Sequence, residues 1–221
     1  MLYVELMERR KFHVLATAGA AAFVLAMGIL YHTVRWPDPI SIETKGFPTI
    51  GDRKAKVEIV IFEDFRCVHC CYFSEEIFPE IQANYVDKGI ASYTLIPLAF
   101  MSKSKPIANA ALAVYRQNPN RFFAYAHELF AACIAGIILD DHELYRTAKK
   151  VGGINLVRLQ ECIDSHCYYE ELDKNLHMAK RLMGKDFGTP SLYINGVATP
   201  TSSYRTIQSR IDRALDKTGT P

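Results

Sequence analysis

Val57-Glu-Ile-Val-Ile-Phe-Glu-Asp-Phe-Arg-Cys-Val-His-Cys70 carries the chain from a strand into a helix across a pair of cysteines. Its first six residues are rich in the β-branched side chains of a strand. Glu63-Asp64-Phe65-Arg66 turns the chain. From Cys67 to about Tyr85, the apolar positions Cys70, Phe73, Ile77 and Ile81 fall three or four apart, one stripe of a helix that Pro79 should kink. A bare C-x-x-C says little. One fed by a strand and opening a helix points to thiol–disulfide chemistry.

The physical reason lies at the helix start. Free N–H groups and roughly half a positive charge gather there. A thiolate at Cys67 is stabilised, and its pKa is expected to fall from about 8.5 into the range of ~3.5–7.5. The intervening Val68-His69 dipeptide tunes the pair, His69 by adding positive charge or a donor. Each pKa unit favours the thiolate by ~1.4 kcal/mol. A stabilised reduced form makes the disulfide a stronger oxidant. Cys67, nearer the helix tip and more exposed, is expected to form the mixed disulfide with a client. Cys70, one turn inside and better buried, is expected to resolve it or to regenerate the disulfide.

Other readings compete. A structural zinc site needs four ligands, and no second C-x-x-C or histidine pair supplies them. Cys162 and Cys167 have the wrong spacing for one. A copper relay on Cys67, His69, Cys70 and Cys71 remains a possible reading, as does a peptide-binding module whose cysteines hold a ligand. The preferred reading has no metal and no cofactor. Cys71 and Cys133 read as small buried hydrophobes. Cys162 and Cys167 can pair if the helix breaks at Asp164-Ser165. On one continuous helix they point too far apart, and the unpaired state is preferred.

On the amino-terminal side, Val14 to Tyr31 is 18 residues without a charge, preceded by Arg9-Arg10-Lys11. As a helix it spans about 27 Å, close to a hydrocarbon core. The basic cluster predicts that residues 1–13 stay in the cytoplasm and that everything after Tyr31 is exported. The run is longer than the usual signal core and no clean small-x-small site follows it, so an uncleaved signal anchor is preferred over a cleaved secretory signal. The expected location is the inner membrane, single-pass, with the catalytic part on the extracytoplasmic side. The alternative is a soluble periplasmic protein after cleavage. Residues 32–46 form a linker, with a possible short strand at Ile40–Glu43.

On the carboxyl-terminal side, Ala91-Ser-Tyr-Thr-Leu-Ile96 is a second strand. From Pro106 to Met183 the pattern is helical, with a start at Asp140 and a break at Gly152-Gly153. Ser191-Leu-Tyr-Ile194 returns to strand, Asn195-Gly196 signals a hairpin, and Ser203 to Lys217 closes as an amphipathic helix. A helical block between strands is an insertion into a small α/β sheet.

The net charge is +2 in 221 residues, and 49% of them are hydrophobic. Disorder is excluded by that apolar fraction. After residue 38 the balance is 22 basic to 21 acidic groups. Such a surface lacks the basic surplus of a nucleic-acid binder, and none is expected as a partner.

Phe47-Pro-Thr-Ile-Gly-Asp and the residues after it through Cys70 resemble the opening of the DsbA family of thiol–disulfide oxidoreductases. The likeness continues through Ile96-Pro97-Leu98, Ala108–Ala132, Cys162-Ile-Asp-Ser165 and Gly188-Thr-Pro-Ser-Leu-Tyr-Ile-Asn-Gly196. It implies a thioredoxin fold with an inserted all-helical domain, here preceded by the membrane helix at 14–31. The thioredoxin-like part would be 47–104 and 186–221, and the insertion 105–185. The resemblance also implies that the Thr189–Pro190 peptide is cis and faces the cysteine pair. X–Pro is the only common cis bond. A proline at a strand start lacks an N–H, so the Thr189 backbone stays free to pair with an extended client. The Thr189 side chain can tune the sulfurs. One of Glu58, Glu63 and Asp64 is a candidate proton-shuttling carboxylate. Val68 stands where the family commonly has proline, which leaves the redox potential open. The implied partners are cysteine-containing exported proteins and a membrane redox partner that reoxidises or reduces the pair. An oxidase is preferred, and a reductase or isomerase of the same fold is the alternative.

Overall fold

The computed structural model describes residues 17, 19–20, 22–28 and 38–218. Of the expected membrane helix at 14–31, the described residues are helical and exposed. The rest of that span, and residues 1–13, lie outside the described residues. Among the described residues no helix is long and apolar enough to cross a membrane. The chain divides into two compact units after Asp38, and the sheet, its helices and the cysteine pair all belong to the second.

A five-stranded sheet holds the order β1 (Thr49–Ile50), β3 (Ala91–Leu98), β2 (Val57–Asp64), β4 (Ser191–Ile194) and β5 (Val197–Thr199). The central strand β2, Val57–Asp64, is buried almost throughout, as a strand covered on both faces must be. It runs parallel to β3, Ala91–Leu98, with Val57 opposite Ala91 and Asp64 opposite Leu98. On its other side β4, Ser191–Ile194, runs antiparallel, and Phe62 faces Ser191. β4 turns at Asn195-Gly196 into β5, Val197–Thr199. Gly196 has φ +76, and a Cβ there would strike the Ile40 carbonyl, so the turn requires glycine. The edge strand β1 is Thr49–Ile50, paired with Thr94 and Tyr93. This corrects the expected strand at Ile40–Glu43. That stretch makes one ladder-like bond, Ile40 N–H to the Gly196 carbonyl at 3.0 Å, and has no strand register.

Alternation along β2 splits the core between two faces. Ile59 and Ile61 join the larger cluster with Phe65, Cys70, Phe130 and Ile207. Val60 and Phe62 join the smaller one with Ile96, Leu98, Tyr193 and Met183.

The helix expected from Cys67 to Tyr85 forms with interruptions. α1, Val68–Tyr72, passes into a wide turn at Phe73–Ile77, then α2, Phe78–Ile81, then a second wide turn at Gln82–Val86. Pro79 sits in the first turn of α2, where its missing N–H leaves no helical bond unmade. The helical block begins at Ser104, two residues before the expected start. It comprises α3, Ser104–Gln117; α4, Phe122–Ile134; α5, Asp141–Val151; α6, Leu156–Ser165; and α7, Tyr169–Met183. Asp140 caps α5, accepting from Glu143 N–H at 2.9 Å, as its position predicts. Asn155 caps α6 in the same way, accepting from Arg158 N–H at 3.1 Å. α8, Tyr204–Thr218, closes the chain.

Two cysteine readings are corrected. Cys71 and Cys133 are not free hydrophobes but a disulfide between α1 and α4, with Cα atoms 6.3 Å apart. A separation of 62 residues gave no hint of this contact. Cys162 and Cys167 also pair, with Cα atoms 5.2 Å apart. α6 stops at Ser165 and His166 turns left-handed at φ 56, which brings Cys167 N–H back to the Cys162 carbonyl at 3.3 Å.

Candidate active site

Asp64 shapes the turn that delivers the cysteines. Its Oδ1 accepts from Arg66 N–H at 2.9 Å. Its Oδ2 accepts from Phe100 N–H, Met101 N–H and Ser104 Oγ–H at 2.9–3.0 Å. One buried carboxylate thus joins the end of β2 to the loop after β3 and the start of α3. The Asp64 carbonyl accepts from Cys67 N–H at 2.9 Å. Cys67 takes the cap position of α1 with extended backbone, and no side chain caps the helix. The first-turn N–H groups are therefore left for the sulfur.

Cys67 and Cys70 are both free thiols. Cys67 keeps 8% exposure and Cys70 none, the ranking their positions predict. The Cys67 thiol is lowered to about 5. The largest cause is a hydrogen bond from Cys70. Burial opposes it, and the Thr189 side chain and the Cys70 and His69 N–H groups add to it. Cys70 is pushed far above the ordinary thiol range, mainly by burial and then by its bond to Cys67. The two sulfurs thus share one proton, carried on Cys70.

Opposite the pair stands the Thr189–Pro190 peptide, which is cis. Cys67 Sγ lies 3.3 Å from the Thr189 carbonyl oxygen, to which it donates when it carries its proton. Thr189 Oγ1 is buried without another partner, which leaves it free to donate to the ionised sulfur. Cys67, Cys70, Thr189 and Pro190, distant in the chain, therefore meet at one place.

Among the three acidic candidates, Glu63 is the one beside the sulfurs. It is 2% exposed, and its Oε1 has no partner. Burial raises its pKa well above the usual carboxylate range, and the nearby Cys67 charge raises it further. Its own charge acts in turn on Cys70. Glu58 instead accepts from the Thr44 hydroxyl at 2.9 Å, and Asp64 is occupied in the turn.

His69 meets the sulfur through its backbone. Its N–H acts on the Cys67 sulfur, whereas its imidazole is exposed and is not among the groups that lower Cys67. That ring lines a groove of about 420 Å³ with Tyr72, Ile77, Pro190, Thr201 and Ser202. Val68 is half exposed beside it. Thr201 and Ser202 had no signal in the sequence, because only the hairpin brings them to the groove. The four-ligand copper reading loses Cys71 to its disulfide with Cys133. Among the described residues no group of three or more histidine, cysteine or acidic side chains is placed to hold a metal.

Comparison with known proteins agrees with this geometry. A family model described as thioredoxin matches residues 43–213. Disulfide bond formation protein D of Bacillus subtilis is 26% identical over 181 residues, covering 77% of this chain and 78% of that protein. A Rickettsia typhi relative is 27% identical over 168 residues, and the chain spans 61% of its length. The crystal structure of Chlamydia trachomatis DsbA superposes with a TM-score of 0.74 at 30% identity, covering 83% of this chain and 100% of that one. The chain therefore belongs to the thioredoxin family and, within it, to the DsbA type. It is a protein thiol–disulfide oxidoreductase of that type.

Proposed function

We propose that the chain is a membrane-anchored dithiol oxidase that introduces disulfides into exported proteins. A client thiolate attacks the Cys67 sulfur of the oxidised pair. The Cys67–Cys70 bond breaks, and Cys70 leaves and takes up a proton. A second client thiolate then attacks the client sulfur of the mixed disulfide, and Cys67 leaves as a thiolate. Two client thiols have become a disulfide, and the pair has gained two electrons. A membrane redox partner accepts those two electrons, and the single proton on Cys70 is released, to restore the pair.

The observation that carries this reading is the state of Cys67. Its thiol is lowered to about 5 while Cys70 stays protonated. A low-pKa sulfur is a good leaving group, and a stabilised reduced pair makes a strong oxidant. Glu63 serves as the buried carboxylate that passes the proton to and from Cys70. Thr189 and Pro190 receive the client backbone, and Val68 and His69 set the immediate surroundings of the sulfurs.

Residues 14–31 act as the anchor, with 1–13 in the cytoplasm and 32–46 as the linker. The thioredoxin-like part is 47–104 with 186–221, and 105–185 is the insertion. The uninterrupted apolar run and its basic flank support the anchor. Fractionation and the mass of the mature chain separate it from the alternative, a soluble periplasmic form after cleavage.

Equilibration with glutathione tests the direction of the reaction. An oxidase requires a potential well above the roughly −270 mV of thioredoxin. A value near that figure rejects it in favour of a reductase or isomerase. The Cys70→Ser variant should trap a mixed disulfide with client proteins through Cys67. No trapped species would return the site to a ligand-binding role.

A further inference from the structure

The Cys71–Cys133 disulfide adjoins the reactive pair, and the exchange proposed above does not use it. Cys71 follows Cys70 directly and is fully buried. Its sulfur lies 3.1 Å from the Cys67 carbonyl oxygen. Its N–H donates to the same oxygen at 3.0 Å. Its partner, Cys133, stands in the last turn of α4. Two more contacts tie α4 to the same stretch of chain. Phe130 stacks on Phe65 with ring centroids 4.8 Å apart. His127 Nδ1 lies 3.0 Å from Glu75 Oε1.

α1 needs such support. It has no side-chain cap at its amino end and passes after five residues into a wide turn of the continuing helix. An uncapped first turn followed by a wide turn, whose N–H groups reach one residue further back, holds its amino end less firmly than a regular capped helix does. Yet the N–H groups of His69 and Cys70 have to stay on the Cys67 sulfur for the thiolate to persist. Groups outside the helix must keep them there.

We propose that the Cys71–Cys133 disulfide is a positioning element for the redox pair. It fixes the Cys67 carbonyl and the first turn of α1 against α4, and so keeps the His69 and Cys70 N–H groups on the Cys67 sulfur. The inference rests on Cys67 as the reactive sulfur of the proposed function. Neither Cys71 nor Cys133 touches the client. Their bond acts through the backbone of their neighbours. Without it the first turn fluctuates, the thiolate loses donors, and the reduced pair loses its advantage over the disulfide. The pair becomes a weaker oxidant.

The test is the Cys71→Ala/Cys133→Ala variant, read in two ways. One is alkylation of Cys67 against pH. The other is the equilibrium of the Cys67–Cys70 pair with glutathione. The Cys67 midpoint is expected to rise by about one unit or more, and the equilibrium to move about tenfold towards the disulfide. A variant that unfolds more easily but keeps both values overturns the inference, because the bond would then be structural only. Should that variant fail to fold, Cys71→Ala/Cys133→Val, which refills the lost volume, is read by the same criteria. The parent protein keeps the two kinds of failure apart. A parent midpoint near the ordinary ~8.5 sinks the proposed function, whereas a low midpoint that the variant retains sinks only the positioning role.

Discussion

Cys67 and Cys70 are three residues apart and stand in opposite electrostatic situations. Cys67 meets donors at the cap of α1, and Cys70 meets burial and the charges of Glu63 and Cys67. One consequence concerns pH. Reduction adds one proton per two electrons while Cys67 remains ionised and Cys70 remains a thiol. Below about 5, where Cys67 takes up its own proton, it adds two. The reduction potential should therefore change with pH twice as steeply below pH 5 as above it, which titration against a redox buffer measures. The stabilising effect of the thiolate on the reduced fold follows the same sign. It is fully present above the ordinary thiol pKa and is lost as pH falls through about 5. Glu63 behaves in reverse, because its carboxyl is raised. Below the ordinary carboxyl pKa it costs the fold nothing. As pH rises beyond that, the unfolded chain ionises while the folded one must keep the proton, and stability drains away towards the folded pKa. Glu63→Gln should thus gain about 1 kcal/mol or more at pH 7 and nothing at pH 3 in denaturant titrations. It should also slow proton-coupled release of Cys70 on the order of 10²-fold in stopped-flow exchange. The C-x-x-C, its strand and its helix were legible as local sequence. That Glu63, rather than Glu58 or Asp64, lies buried at the sulfurs was not, because the three differ only in what the rest of the fold places around them.

At the scale of elements, periodicity served well wherever one face of a helix is buried. Asp140 and Gly152 bound α5 as their residue types predict, and Asn195-Gly196 makes the hairpin. Asn155 should contribute to α6 through its bond to Arg158 N–H. Asn155→Ala is expected to cost about 1 kcal/mol in unfolding free energy without altering the Cys67 alkylation profile. Asn109 does more. It is fully buried, donates to the Cys162 carbonyl at 3.0 Å and accepts from Tyr168 N–H at 2.9 Å. It thus holds both sides of the turn that lets Cys162 meet Cys167. Asn109→Leu leaves the Tyr168 N–H unpaired and removes one of the donors to the Cys162 carbonyl, and should cost about 2 kcal/mol, measured by thermal or denaturant unfolding. Nothing in the sequence around Cys162 indicates this support, since it comes from a helix more than fifty residues earlier. The wide turns after α1 were equally hidden. A 3.6-residue pattern of apolar side chains does not record which carbonyl each N–H selects.

Over the whole molecule, two disulfides cross-link very different loops. Cys71–Cys133 spans 62 residues and Cys162–Cys167 spans 5. By chain entropy the first should stabilise the fold by about 4 kcal/mol and the second by about 2 kcal/mol. Separate alanine pairs, compared by denaturant unfolding, check that ranking. The larger figure belongs to the bond that joins the reactive helix to the helical block, so stability and reactivity meet there. The sequence by itself determined the strand–cysteine–helix unit, the helical block between strands, and the proline loop after it. Each of these is written in neighbouring residues, through alternation, helical spacing, caps and turn formers. Only the tertiary structure decided that Glu63 is sealed from water, that the His69 ring faces the groove and that Cys71 finds Cys133. Those facts depend on the packing of segments far apart in the chain, and local patterns of hydrophobicity carry no record of which distant partner will fill a given face.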